Sequence, residues 1–409
     1  MTSEALPAHL DRPAIRRVHP IPLQKEVADA QGNKQNVMFL GLQDPCQLSQ
    51  NMMVVPPQAF QVMQLFNGER SIAEIVEATK IPDAKPIVEL VGKLDEFGLL
   101  WGPTSEAMEE KKRGELAAAG ALPAGASREL GEDAAPIRQQ LELWLDAAED
   151  AEIEEPIAGI VVSHLDYMRG HPVYAASWRL VSKGPKPDRV VVVGTNHFGL
   201  SDGAIVADLP LDCPLGRSPL DAEVQSRLRA EFGDKLFKDL LDFVSEYSIQ
   251  RQLPWIQHLF GEVPVTAILL PDPNAPLLAD DGARASGAEL VAALSRILGE
   301  IGGRTLVVGS ADLSHAGPQF GEPKPVSPER RREVETQDRE MLKAFLADPS
   351  SLATRMRETR NPTRWTSVGA FVGAGLLAKP SSAELIDYRQ TVDEQGMALV
   401  SSASIALLA

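Results

Sequence analysis

Three runs of Val, Ile and Leu without polar alternation recur in the second part of the chain: IAGIVVSH (157–164), RVVVVGTNH (189–197) and RTLVVGSADLSH (304–315). Unbroken apolar runs of this length fit strands buried on both faces, as in the middle of a parallel sheet. Between and after them, AEVQSRLRAEF and AELVAALSRILGEI carry helical periodicity. Strand, helix and strand in repetition predict an α/β fold, an open, mostly parallel sheet flanked by helices. Residues 133–409 are taken as this larger domain.

The first hundred residues have a different rhythm. AFQVMQLF sets Phe60, Met63, Leu65 and Phe66 on one helical face and stops at Asn67-Gly68. Ser71 and Glu74 then have the spacing of a capping box, followed by Ile72, Ile75 and Val76. A third helix starts at Pro86, buries Ile87, Val88, Leu90, Val91 and Leu94, and closes at Gly98. Three short helices with extended flanks predict a small winged-helix-like unit over residues 20–101. A helical cap on the larger domain is the alternative. Residues 102–132 have no aromatic residue and a single β-branched one, Thr104. Ala, Gly and charge bury too little apolar surface to offset chain entropy, so a flexible linker is expected there. The competing expectation is a surface helix in its first half, since Ala, Glu and Lys favour helix.

Composition narrows the function. Over 409 residues, 40 Lys and Arg face 57 Asp and Glu, a net charge of −17. Such a field repels phosphate backbones and anionic lipid, so neither nucleic acid nor a membrane is the expected partner. The N-terminal unit agrees: residues 1–101 hold nine Lys and Arg against twelve Asp and Glu. Its third helix carries only Lys93 between Pro86 and Gly98, too little for a major-groove reader. Cys46 and Cys213 cannot form a disulfide framework or a thiolate zinc site. No apolar run approaches the ~18 residues that cross a bilayer, and MTSEALPAHLDRPAIRR has no leader-type apolar core. A cytoplasmic protein is expected.

The chemistry gathers at strand ends. Each of the three runs finishes on a histidine, His164, His197 and His315, with Asp312 three residues before the last. Ligands of open α/β sheets bind beyond the carboxyl ends of the strands, so the three should face one crevice. Imidazole is both the commonest metal ligand and a general acid or base near neutral pH. With a carboxylate the cluster reads as a 2-His-1-carboxylate iron site or a hydrolytic zinc site. In SEYSIQRQLPWIQ (245–257), Glu246 either completes such a shell, with Ser248 orienting it, or is an ordinary helix-N-terminal carboxylate. Pro254 interrupts that helix.

With these motifs in order, the chain from about Asp133 onward resembles the Memo family, whose members share the class III extradiol dioxygenase fold and include AmmeMemoRadiSam system protein B. The matching elements are Pro136 to Leu145, Val162-Ser163-His164-Leu165-Asp166-Tyr167 and Gly194-Thr195-Asn196-His197-Phe198. They continue with Cys213-Pro214-Leu215-Gly216 and Asp221, Glu246 to Trp255, Ser310 to His315, and the closing LIDYRQTVDEQGMALVSSASIAL. The stretch Asn67–Ile75 is similar to the PqqD-like peptide-recognition modules of radical SAM maturation systems. The resemblance implies Fe(II) held by His164 and His197, with His315 as acid or base held by Asp312. It further implies redox or oxygen chemistry on a small molecule or peptide, and a link to a radical SAM protein.

Departures complicate that picture. The family's third ligand is a cysteine, and its segment here reads Thr363-Arg364-Trp365-Thr366-Ser367-Val368-Gly369. Two family histidines have become Tyr247 and Phe198. One outcome is that Glu246 or Asp312 faces the two histidines in place of the thiolate, with Asp166 pointing elsewhere. Another is that Arg364 fills the vacated space. In the third, the site is degenerate and the chain is a non-catalytic peptide-binding partner of a radical SAM enzyme.

Overall fold

The computed structural model describes residues 6–28, 34–49, 51–199, 201–275 and 282–409. The first five residues of the stretch examined for a leader lie outside these. Two units are distinguished: one runs through Ala119 and takes in the segment at Phe198 and Gly199, and the other holds the remainder.

The first unit opens with a short helix, α1 (Ala8–Asp11), and a long antiparallel hairpin, β1 (His19–Ala28) on β2 (Lys34–Gln43). A third strand, β3 (Met53–Val55), pairs with the end of β2. Helices α2 (Pro57–Met63), α3 (Ile72–Thr79) and α4 (Lys85–Glu96) follow as the periodicity predicts. Ser71 and Glu74 form the expected capping box. Leu42, Val55, Met63, Phe66, Ile75, Ile87, Val91 and Leu94 share one core.

Residues 103–119 form helix α5 (Pro103–Ala119), the helical alternative weighed against a flexible linker, and a 3-10 turn spans Gly125–Leu130. Helix propensity is half of the reason. The other half is tertiary: Arg16 is 2% exposed, and a buried guanidinium requires a carboxylate. Glu109 of α5 supplies it at 2.6 Å, while the Gly98 carbonyl accepts a second bond at 2.9 Å.

The second unit is built on an eight-stranded sheet. After α6 (Ala134–Ala147) come β4 (Ile157–Val162), α7 (Tyr167–Ser182) and β5 (Arg189–Thr195). Next are β6 (Ile205–Val206), the small hairpin β7 (Leu211–Cys213) and β8 (Gly216–Ser218), and α8 (Ala222–Phe232). Pro254 sits at the start of a helix rather than inside one, giving α9 (Tyr247–Gln250) and α10 (Leu253–Phe260). There follow β9 (Val265–Leu270), α11 (Gly287–Ile301), β10 (Thr305–Ser310), β11 (His315–Ala316), α12 (Pro328–Ala347), α13 (Pro349–Thr359) and α14 (Val368–Ala378). The hairpin β12 (Ser382–Val392) and β13 (Leu399–Leu408) closes the chain.

The order is β11-β13-β4-β10-β5-β9-β6, with β12 beyond β13. The four middle strands, β4, β10, β5 and β9, are parallel, and β13 and β6 flank them antiparallel. All six residues of β9 are buried, as two-face burial requires. The small residues of α14 bring it against the sheet: a Cβ on Gly373 would drive into the Leu270 side chain. Among the described residues no helix is long and apolar enough to cross a membrane.

Candidate functional site

The carboxyl ends of β4, β5 and β10 bring the three histidines together. The rings of His164 and His197 meet edge to face with centroids 4.8 Å apart, and His315 is close enough to both to act on them electrostatically. Tyr247 packs into the group, stacked on His197 at 4.6 Å and edge-on to His164 at 5.4 Å. Arg251 lies over the other part of this layer, 4.6 Å from the Tyr247 ring centre. Its guanidinium donates to the His164 carbonyl at 2.6 Å and to both oxygens of Glu129.

Each imidazole has its Nδ1 fixed by an acceptor. His164 Nδ1 lies 3.1 Å from the Ser310 carbonyl. His315 Nδ1 lies 3.1 Å from the Leu313 carbonyl and 3.2 Å from that of Arg364. His197 Nδ1 lies 3.0 Å from Glu246 Oε1. Since carbonyls and carboxylates only accept, the Nδ1 atoms carry the hydrogens, and a ring that is neutral keeps its lone pair on Nε2. Burial, reinforced by His197, holds His164 well below the usual histidine range. Burial likewise lowers His315, with Asp312 opposing it. Burial also pushes the Tyr247 phenol well above its ordinary value, with Glu246 and Asp312 adding to the effect.

Glu246 stands behind His197. Its Oε2 accepts from the His197 amide at 2.8 Å, and its Oε1 accepts from the Ser248 amide at 2.9 Å as well as from the ring. Burial acts to raise this carboxyl, and the His197 imidazole with these donors outweighs it, leaving the group below its usual range. It is the Ser248 amide that meets Glu246. The Ser248 hydroxyl turns to the end of β5, accepting from the Thr195 amide.

Asp312 does not hold His315 by a direct bond. Its Oδ1 accepts from Ser163 at 2.6 Å and Ser402 at 2.7 Å, and its Oδ2 lies 3.5 Å from His164 Nε2. Arg364 does not fill the position of a lost ligand either: its guanidinium turns to Glu322, and only its carbonyl faces the site. Asp166 caps α7, accepting from the Arg169 amide. Thr363, where the family resemblance places a cysteine, is 3% exposed and lies 2.6 Å from the Ser314 hydroxyl.

These residues do not fit a three-ligand metal centre. Among the described residues, no group of three or more His, Cys, Asp and Glu is placed to hold a metal ion. Glu246 spends both oxygens on His197 and Ser248, Thr363 supplies no charge, and Asp312 brings one oxygen, Oδ2, to His164. Arg251, Ser310 and Ser402 lie inside the matched motifs, but their pairings with Glu129, the His164 ring and Asp312 join segments far apart in the chain and were not singled out by the sequence.

The family profile described as "Memo-like protein" matches residues 122–406. Among curated proteins, the chain is similar to a MEMO1 family protein of Aquifex aeolicus, 27% identical over 297 residues, 71% of this chain and 75% of that protein. A MEMO1 family protein of Thermus thermophilus is 28% identical over 248 residues, 61% of this chain and 71% of the other. A third, from Caldivirga maquilingensis, is 32% identical over 163 residues, 40% of this chain; the chain spans about half of that relative's length, 54%.

Proposed function

The chain belongs to the Memo-like protein family, and from that premise we propose that its strand-end cluster binds a hydrogen-bond-donating group without a tightly held metal ion. One observation carries this reading. His164 Nε2 and Asp312 Oδ2 lie 3.5 Å apart, and with His164 held neutral by burial both are acceptors. Two buried acceptors facing each other favour a donor brought against them. An amine, hydroxyl or amide N–H of a small molecule or peptide has that chemistry. The Nε2 lone pair of His315 extends the same preference.

The chain then acts as a holding partner rather than as an Fe(II)-dependent dioxygenase-like or hydrolytic enzyme. In this reading β1, the outer strand of the first unit's sheet, receives a peptide backbone by strand addition. The link to a radical SAM enzyme rests on the resemblances to system protein B and, over Asn67–Ile75, to the PqqD-like modules.

The test joins metal and ligand binding. Calorimetric titration of apo-protein with Fe(II) and with Zn(II) should show no tight binding. A screen of small amines and phenols, followed through the imidazole resonances, should find binders that shift His164 and His197 and lose affinity in Asp312→Asn. Tight 1:1 metal binding that disappears in a His164→Ala, His197→Ala double variant overturns the proposal and restores the Fe(II) reading.

A further inference from the structure

Twenty-three residues beyond His315 in the chain, Asp338 lies in the middle of α12 with its carboxylate fully enclosed. Four side chains from four different segments donate to it. Oδ1 accepts from the Ser314 hydroxyl at 2.5 Å and the Trp365 indole at 2.7 Å. Oδ2 accepts from Ser401 of β13 at 2.6 Å and Tyr388 of β12 at 2.8 Å. Every ordinary lone-pair site of the carboxylate is thereby used.

The two donors on Oδ1 have a particular place. Ser314 directly follows Leu313, and Trp365 directly follows Arg364. Leu313 and Arg364 are the two residues whose carbonyls fix His315 Nδ1. One oxygen of Asp338 thus ties together the two loops that orient the imidazole. Other bonds tighten the same joint: the His315 amide donates to the Thr363 carbonyl at 2.8 Å, and the Ser314 amide donates to Ser401 at 2.9 Å. Ser314 has a single hydroxyl hydrogen. With that hydrogen on the carboxylate, Thr363 Oγ1 donates back to Ser314 across 2.6 Å. Thr363, at the position of the family's cysteine, is part of this anchor.

We infer that Asp338 is a positioning residue for His315, holding its Nδ1–H tautomer and ring orientation through the Ser314 and Trp365 loops without touching the ring. Orientation by a second layer of hydrogen bonds is a general requirement of imidazole sites. The inference uses the proposed binding function only in counting His315 as part of that site, and its test needs no ligand.

Long-range proton–nitrogen NMR on the full chain reads the tautomer of each histidine. In the wild type His315 should show one protonated nitrogen, Nδ1. In Asp338→Asn its two nitrogens should move toward the averaged values of mixed tautomers, while those of His164 and His197 stay in place. Ser314→Ala should reproduce the shift, and Tyr388→Phe, which removes a donor on the hairpin side only, should leave His315 as it was. If Asp338→Asn does not fold, Ser314→Ala and Trp365→Phe decide the matter. Unchanged His315 resonances in folded variants overturn the inference. Equal movement of all three histidines also overturns it, because that is general loosening. A normal His315 tautomer in the folded variants counts against this inference and leaves the binding reading standing.

Discussion

Glu246 and Asp338 are both buried carboxylates on hydrogen-bonded anchors of the histidine site, yet folding moves their proton affinities in opposite directions. Glu246 has three donors, two of them backbone amides and one the His197 ring, and sits below its ordinary value of 4.5. Asp338 has four donors, all neutral, and sits above its ordinary value of 3.8 because burial outweighs them. Taking an ion out of water costs several kcal/mol, while a hydrogen bond to a charged group returns about 1.5–3. The difference lies in kind of partner rather than in number. An imidazole that can carry positive charge stabilises a buried anion through Coulomb attraction, which hydroxyls and an indole do not supply.

The largest way to break this comparison is to delete one acceptor outright. Asp338→Ala leaves four donors facing a cavity, and unpaired buried donors cost about 1–3 kcal/mol each before relaxation. We expect about 4 kcal/mol of lost stability from urea unfolding at pH 7 with the slope unchanged, within the range for breaking a buried polar network. A loss below about 1 kcal/mol would mean that water replaces the carboxylate and that its anchoring role is slight. Glu246→Gln keeps the shape and removes only the charge. Its expected cost is smaller, about 2 kcal/mol, and its second signature is at His197, whose Nδ1 loses an ionised acceptor.

The pH dependence sharpens the same contrast. A carboxyl lowered on folding contributes stability above the unfolded value, and that contribution disappears as pH falls through the folded one. The gap between wild type and Glu246→Gln should therefore close on acidification below about 4.5. A carboxyl raised on folding behaves oppositely: the folded state binds the proton more tightly, so its contribution falls as pH climbs from 3.8 through the folded value. The gap between wild type and Asp338→Asn should accordingly narrow as pH rises through that window. Parallel gaps in the two variants would show that the partners do not set the direction.

Much of the site's frame was legible because strand burial writes itself as unbroken apolar runs, and each run ended on a histidine. The capping box at Ser71 was legible because it is local. Helix α5 was legible only as an alternative, since the Arg16–Glu109 pair that pins it joins residues 93 apart. Asp338 was hidden among the charges of PERRREVETQDREML, yet a signal existed. Val334, Asp338, Met341, Leu342 and Phe345 fall on one buried helical face, so a carboxylate occupies an apolar position of the stripe. Glu246 was noticed as a candidate, but the sequence could not tell a metal ligand from a carboxylate turned to the back of His197.

The smallest effect isolates burial from hydrogen-bond count. At the start of α11, Ser286 and Glu289 form a capping box: Ser286 donates to the Glu289 carboxylate at 2.8 Å and accepts from its amide at 3.2 Å. Ser314 of the Asp338 anchor likewise donates to a carboxylate, and it accepts from the Thr363 hydroxyl across 2.6 Å. Each hydroxyl thus makes one bond of each sense. Ser286→Ala should cost about 1 kcal/mol or less, because water reaches the freed amide and carboxylate. Ser314→Ala should cost about twice that, since its freed partners stay enclosed. Urea unfolding of both variants under one condition measures the ratio. A ratio near one would mean that the Asp338 pocket admits water as readily as a helix end, and the contrast between buried and exposed carboxylates would lose its basis.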